Sequence, residues 1–282
     1  MKLDFIHVGM HKTASTLLQK KIFPSIENLK VLNNLSPNID EWFMKEFVNK
    51  SANEFSSKNF LYDLNLKVDS FPKEHKGNIL AISEENLSGD IYSGANSSIL
   101  RERLYDVFGN VKILIVIRNQ LDFILSAYSN YIYHGGRLRF TKWFQGKNAS
   151  NLLAKLHYSD FISGYSEIYG KKNVTVLLYE EIFEKQSLHN FLKQFQLDFV
   201  LKNNKRINVG ASILGNNFFA FLNHFGMHKL KGRQQIRSIF PKLRNEREFL
   251  KDLIGNEYNS LVNDNKKISI EKDLNLTKEY YI

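Results

Sequence analysis

The chain has no cysteine, which excludes a disulfide framework, a thiolate metal centre and a cysteine nucleophile. With four prolines in 282 residues it has no proline-rich linker, and no Gly- or Ser-rich tract or internal repeat marks a domain boundary. No apolar run approaches the ~20 residues of a membrane-spanning helix. The opening Met1-Lys2-Leu3-Asp4-Phe5 enters a short apolar stretch broken by His7 and Gly9, which is neither a secretion signal nor an anchor. These absences lead us to expect a cytoplasmic protein.

What is present describes a globular chain. Hydrophobic residues make up 43%, with 22 Phe and 13 Tyr, enough for one large domain over residues 1–282. The formal net charge of +10 attracts anions without saying which anion.

Short β-rich runs alternate with helical patterns. Leu3–Val8 reads as a strand that passes through Gly9 into a helical pattern from Ser15 to about Leu29. Residues 31–76 mix helical patches such as Trp42–Val48 with polar stretches and read as an insertion or cap. Asn78–Ser83, Val111–Ile117 and Val174–Tyr179 are further strands, each followed by a helix: Ser98–Phe108, Leu121–Tyr133 and Phe183–Phe195. Another helix is expected over Leu152–Tyr169, and a basic, mainly helical part beyond Asn208. Apolar strands alternating with helices predict a central parallel sheet covered on both faces, an α/β three-layer sandwich.

The first strand-to-helix junction reads His7-Val8-Gly9-Met10-His11-Lys12-Thr13-Ala14-Ser15-Thr16. A parallel strand delivers such a turn to the carboxyl edge of the sheet, where helix-start amides gather an anion. Thr13, Ser15 and Thr16 offer hydroxyls, Ala14 leaves room for backbone approach, and Lys12 adds a full charge. An NTP-binding P-loop starting at Gly9 would end in Gly-Lys-Ser/Thr; here the frame ends Ala14-Ser15-Thr16, with the lysine moved ahead of the helix. A chance Ser/Thr-rich helix cap with a solvated lysine is the competing explanation. At the second junction, Arg118 follows the strand and Ser126 lies two helical turns on, so both could reach one phosphate; a surface ion pair and a small helical residue are the plainer reading.

Lys12 and the small and hydroxyl residues after it resemble the 5'-phosphosulfate loop of the PAPS-dependent sulfotransferases, usually Lys-Thr/Ser-Gly-Thr/Ser-Thr/Ser. The run His7 to Thr13 is similar to that of the bacterial, carbohydrate-type members. Ala14 replaces the family's glycine, so the loop is expected to need no positive φ there. Arg118-Asn119-Gln120-Leu121-Asp122, with Ser126, resembles the family's 3'-phosphate site, Gln120 replacing the usual proline. Tyr179-Glu180-Glu181-Ile182 is similar to a segment whose tyrosine lies near adenine, and Lys231-Gly232 is a loose match to a late phosphate loop.

The resemblance covers about residues 3–182 and implies a P-loop NTPase-like fold that transfers the sulfuryl group of 3'-phosphoadenosine 5'-phosphosulfate (PAPS) by in-line displacement. It implies cofactor contacts from His11, Lys12, Thr13, Ala14, Ser15, Thr16, Arg118, Ser126 and Tyr179, with Lys12 as the catalytic cation. Ser83-Glu84-Glu85-Asn86-Leu87 resembles the Ser-x-Glu-x-Leu run of carbohydrate sulfotransferases and aligns Glu85 as the base, with Glu84, His11 and His134 as alternatives. No metal is implied, since no histidines show paired ligand spacing. The acceptor is expected to be a hydroxyl of a glycan or glycolipid, not nucleic acid, and the basic, aromatic stretch Gly135–Trp143 is suited to an acidic sugar. The rivals are a P-loop kinase for a nucleotide or sugar and a non-catalytic basic module for polyanions.

Overall fold

The structure is a computed structural model that describes residues 2–69, 78–182, 186–198, 213–224 and 246–272. The chain divides into two compact units, Met1–Ile117 with Asp160–Asn204 and Arg118–Ser159 with Lys205–Ile282.

The first unit is built on five parallel strands, β1 (Phe5–Gly9), β2 (Leu29–Val31), β3 (Ile79–Glu84), β4 (Lys112–Ile117) and β5 (Val174–Leu178). Their order is β2-β3-β1-β4-β5. All of β1 and residues 113–117 of β4 are buried, the physical source of the continuous apolar runs in the sequence. Four of the five strands form within two residues of their expected bounds. Val8 pairs with Glu84 and Gly9 with Val116, so β3, β1 and β4 finish level at one carboxyl edge. Sheet order reverses direction at β1, and such a reversal is where open parallel sheets hold ligands.

β2 starts at Leu29, where the expected helix ends, and runs into the expected insertion at Val31, a strand the sequence did not suggest. The expected helix from Ser15 instead divides into α1 (Ser15–Leu17), a π turn (Leu18–Ile22) and a 3-10 turn (Phe23–Ser25). Pro24 lacks the N–H that would continue the ladder, and Ile26 is already extended. Beyond Val31 one side chain extends the sheet edge. Asn33 Nδ2 donates to Ser83 O (2.9 Å) while Asn33 Oδ1 accepts from Ser83 N (3.0 Å), as a backbone peptide would.

The described part of the expected insertion holds α2 (Pro37–Phe43), a π turn (Met44–Val48) and α3 (Ser57–Asp69) around a core of Phe43, Phe47 and Phe60. The buried Arg103 of α4 (Ser97–Phe108) ties this part down, donating to Phe47 O and Lys50 O at 2.7 Å each. Below the sheet, Phe5 meets Phe23, Phe191 and Phe195 with ring centroids 5.2–6.0 Å apart.

α5 (Gln120–Tyr133), α6 (Phe140–Trp143) and α7 (Lys147–Lys155) follow β4; the single helix expected over Leu152–Tyr169 is two, because the chain breaks between α7 and α8 (Tyr158–Tyr169). α9 (Tyr179–Ile182) and α10 (Gln186–Lys193) follow β5. In the second unit, α11 (Ile213–His224), α12 (Glu246–Ile254) and α13 (Asn256–Lys272) accompany α5. Buried amides join α5 to α13: Gln120 Nε2 donates to Asn265 Oδ1 (2.6 Å) and Asn265 Nδ2 to Gln120 Oε1 (3.2 Å). Arg247 adds an ion pair to Asp122 at 2.7 Å.

Candidate active site

The loop after β1 is a tight wrap over the strand's end. A Cβ on Gly9 would lie 2.3 Å from Ser15 Oγ and 3.2 Å from His7 Cε1, so any side chain there would have to displace Ser15. Within the loop Lys12 (φ 65°) and Ala14 (φ 64°, ψ 18°) both adopt the left-handed conformation. This corrects the expectation that Ala14 would avoid positive φ. The methyl group is tolerated at the family's glycine position, but the left-handed turn remains, at a cost of about 1 kcal/mol or more for each such residue.

The hydroxyls of this loop differ in role. Thr13 is buried and its hydroxyl donates to Met10 O, holding the loop to itself. Ser15 Oγ is buried with no hydrogen-bond partner among the described residues, whereas Thr16 is exposed. Ala14 O accepts from Leu17 N (2.8 Å) and Leu18 N (3.0 Å). The half-buried Lys12 adds a full positive charge to the roughly half charge of a helix start.

His11 links this loop to the segment after β3. It is buried, with Nε2 3.3 Å from Asn86 Oδ1 and Nδ1 3.4 Å from Ser88 Oγ. Asn86 in turn is fixed by Glu84, whose Oε1 accepts from Asn86 N (2.9 Å) and Asn86 Nδ2 (2.7 Å). Burial pushes the Glu84 carboxyl above the ordinary glutamate range; the two Asn86 bonds pull it down, and the charges of Glu85 and Asp40 push it up again. Glu85, half-buried, is the next residue and opens the 3-10 turn that follows β3. A pair of adjacent carboxylates can serve proton transfer.

Behind them, Ser83 is a junction. Its carbonyl accepts from Gln19 Nε2 (2.9 Å) as well as Asn33, and its Oγ lies 2.7 Å from His7 Nδ1. His7 is fully buried, and burial holds its pKa down to about 3, so it is a neutral structural histidine. Sequence reasoning missed Asn33, Asn86 and Ser88; their only signal was position beside a strand end.

The other expected residues fall as follows. Arg118, half-buried, is the first residue after β4; Asn119 caps α5 by accepting from Asp122 N at 3.2 Å, and Ser126 is half-buried on α5. Gln120, in place of proline, holds Asn265. Tyr179 opens α9 and packs, with Ala14, against the core under β1, as a strand-end aromatic does. His134, Arg137, Arg139 and Lys142 are exposed, while Phe140 and Trp143 are buried. Lys231-Gly232 lies outside the described residues. Among the described residues no group of His, Asp and Glu is placed to hold a metal ion, and no helix is long and apolar enough to cross a membrane.

Among solved structures the chain is similar to a sulfotransferase from Alicyclobacillus acidocaldarius, at TM-score 0.50 and 18% identity over 88% of this chain and 99% of that one. The chain has a sulfotransferase fold. It is also similar to the sulfotransferase domain of the Curacin biosynthetic pathway (TM-score 0.43, 12% identity, 90% and 98% coverage). A third similar structure is the sulfotransferase domain of the Synechococcus PCC 7002 olefin synthase (0.41, 12%, 89% and 94%). No protein-family model matches the chain, and no curated protein does.

Proposed function

We propose that the chain is a PAPS-dependent sulfotransferase acting on a hydroxyl of a carbohydrate, a glycolipid or another small acceptor. The observation that carries this reading is the Lys12 loop: a lysine held in a left-handed turn over Gly9 and joined through His11 to the Glu84-Glu85 segment.

In this reading the loop His11 to Thr16 binds the 5'-phosphosulfate, Arg118 and Ser126 the 3'-phosphate, and Tyr179 the adenine. The acceptor oxygen attacks sulfur in line as the bond from sulfur to the bridging phosphate oxygen breaks. Negative charge grows on that oxygen, where the Lys12 ammonium stabilises the transition state more than the ground state. Glu85 takes the acceptor's proton; Glu84, bonded to Asn86, holds His11 and the base segment in place. The products are the sulfated acceptor and 3'-phosphoadenosine 5'-phosphate (PAP). The reading needs no metal, and the lack of cysteine suits a chain working in the cytoplasm.

The test is incubation with labelled PAPS and a panel of saccharide, glycolipid and phenolic acceptors, with Mg-ATP binding measured in parallel. Label appearing on a hydroxyl acceptor supports the reading. Binding of Mg-ATP with no response to PAPS or PAP replaces it with a kinase.

A further inference from the structure

In the first unit, Arg101 of α4 reaches across to α8 and lays its guanidinium on the backbone at Gly164. A Cβ on Gly164 would collide with Arg101 Nη1 and stand 2.5 Å from Cζ and 2.9 Å from Nη2, so any side chain there would displace the guanidinium. The next residue, Tyr165, is fully buried, and Arg101 Cζ lies 5.7 Å from the centroid of its ring. Cation and phenol therefore share one notch between the two helices.

Two donors in this notch have no acceptor. Arg101 Nε and the Tyr165 hydroxyl are both buried with no hydrogen-bond partner among the described residues, and no carboxylate among them pairs with Arg101. Glu102 and Asp106, on the same helix, are exposed. The hydroxyl of Tyr169, one turn beyond Tyr165, is engaged, donating to Arg101 O at 3.4 Å. A buried donor left unmet is destabilising, and two against one another in a native fold point to a group that accepts from both. Arg101 as a whole is half-buried, so the notch opens to solvent on its side.

We infer that the notch between α4 and α8 binds a tetrahedral oxyanion of the phosphate or sulfate class. Arg101 Nε–H and a neighbouring Nη–H form a fork that two oxygens of one anion fill, and the Tyr165 hydroxyl donates to a third. A carboxylate has only two oxygens, which the fork alone would occupy. The net charge of +10 draws such anions to the chain. The site uses none of the residues assigned to the Lys12 loop, and the inference does not rest on sulfuryl transfer.

The experiment is titration calorimetry of the full chain with inorganic phosphate, inorganic sulfate and acetate. Each titration is repeated on Lys12→Ala, because the Lys12 loop is a second place for such an anion; binding at the α4–α8 notch should persist there, with acetate the weakest. In that background Arg101→Gln should weaken phosphate about tenfold or more, and Tyr165→Phe, which removes one oxygen, about tenfold. Without anion, Tyr165→Phe should match or exceed the parent in urea midpoint, since it deletes an unmet donor. If Arg101→Gln does not fold, Tyr165→Phe decides. Titration with 5'-AMP identifies the source: tighter binding than phosphate, abolished in Arg101→Gln, assigns the notch to the phosphate group of a larger molecule, and weaker binding assigns it to the free ion. Absence of phosphate and sulfate binding in Lys12→Ala overturns the inference. So does binding that neither Arg101→Gln nor Tyr165→Phe alters, which would leave water as the acceptor in the notch.

Discussion

Ser15 occupies the space that a side chain on Gly9 would need: the two residues leave 2.3 Å between Ser15 Oγ and a Cβ at position 9. A side chain at position 9 would therefore push on Ser15 and the turn that carries Lys12. Gly9→Ala should lower stability by about 1–3 kcal/mol and weaken PAP binding about tenfold or more by displacing the loop. Gly9→Ala/Ser15→Gly, which removes the clashing atoms, should recover most of the stability. Urea denaturation and calorimetry with PAP measure both, and a Gly9→Ala protein as stable as wild type would refute the close approach.

Ala14 supplies a second test of the same turn. At φ 64° glycine carries no Cβ penalty but loses more backbone entropy on folding, so Ala14→Gly should raise stability by at most about 1 kcal/mol. Activity should persist. A loss of more than that in a denaturation series would mean that Ala14 is not left-handed.

Lys12→Ala should lower turnover on the order of a hundredfold, as the loss of one electrostatic transition-state contact does. PAPS affinity should fall less than turnover. The check is steady-state kinetics on the acceptor found by the labelling screen; near-normal turnover removes Lys12 from the mechanism.

Arg118→Ala should weaken PAP far more than 5'-AMP, because only PAP carries the 3'-phosphate assigned to that guanidinium. Titration calorimetry with the two nucleotides compares them directly. Equal losses would place Arg118 elsewhere.

His7 predicts the acid limb of stability. Its pKa falls from 6.5 in the unfolded chain to about 3 in the fold through burial, so below pH 6.5 the unfolded chain takes up a proton that the native one refuses. This contribution is fully present above pH 6.5 and is lost, at about 1.4 kcal/mol per pH unit, as pH falls toward the folded value. His7→Gln should flatten that limb in urea midpoints measured from about pH 7 to 5. Glu84 acts oppositely: its raised pKa gives a contribution present at low pH and lost as pH rises through the folded value, which Glu84→Gln should remove. Identical pH slopes in wild type and His7→Gln would mean that His7 is not buried as a neutral ring.

The four longer strands were legible because a parallel strand buried on both faces must be largely apolar, and Ile113–Ile117 is so without interruption. β2 was not, since three residues carry no period and its edge is prolonged against β3 by the Asn33 side chain, which in sequence is only a polar residue. Asn216 and Asn223 of α11 were equally illegible: hydropathy assigns them to solvent, yet both are buried, Asn216 donating to Ser129 and Asn223 to the Ile132 and Gly136 carbonyls.

Residue chemistry alone determined which groups could meet an anion, a lysine among hydroxyls after one strand and an arginine after another, and which could take a proton, two carboxylates after a third. Tertiary structure decided their use within the first unit. It set Ser15 on Gly9, forced Lys12 and Ala14 left-handed and tied His11 through Asn86 to Glu84. Backbone angles and proton affinities depend on what else occupies the same space, and a linear string of side chains does not encode that one residue at a time.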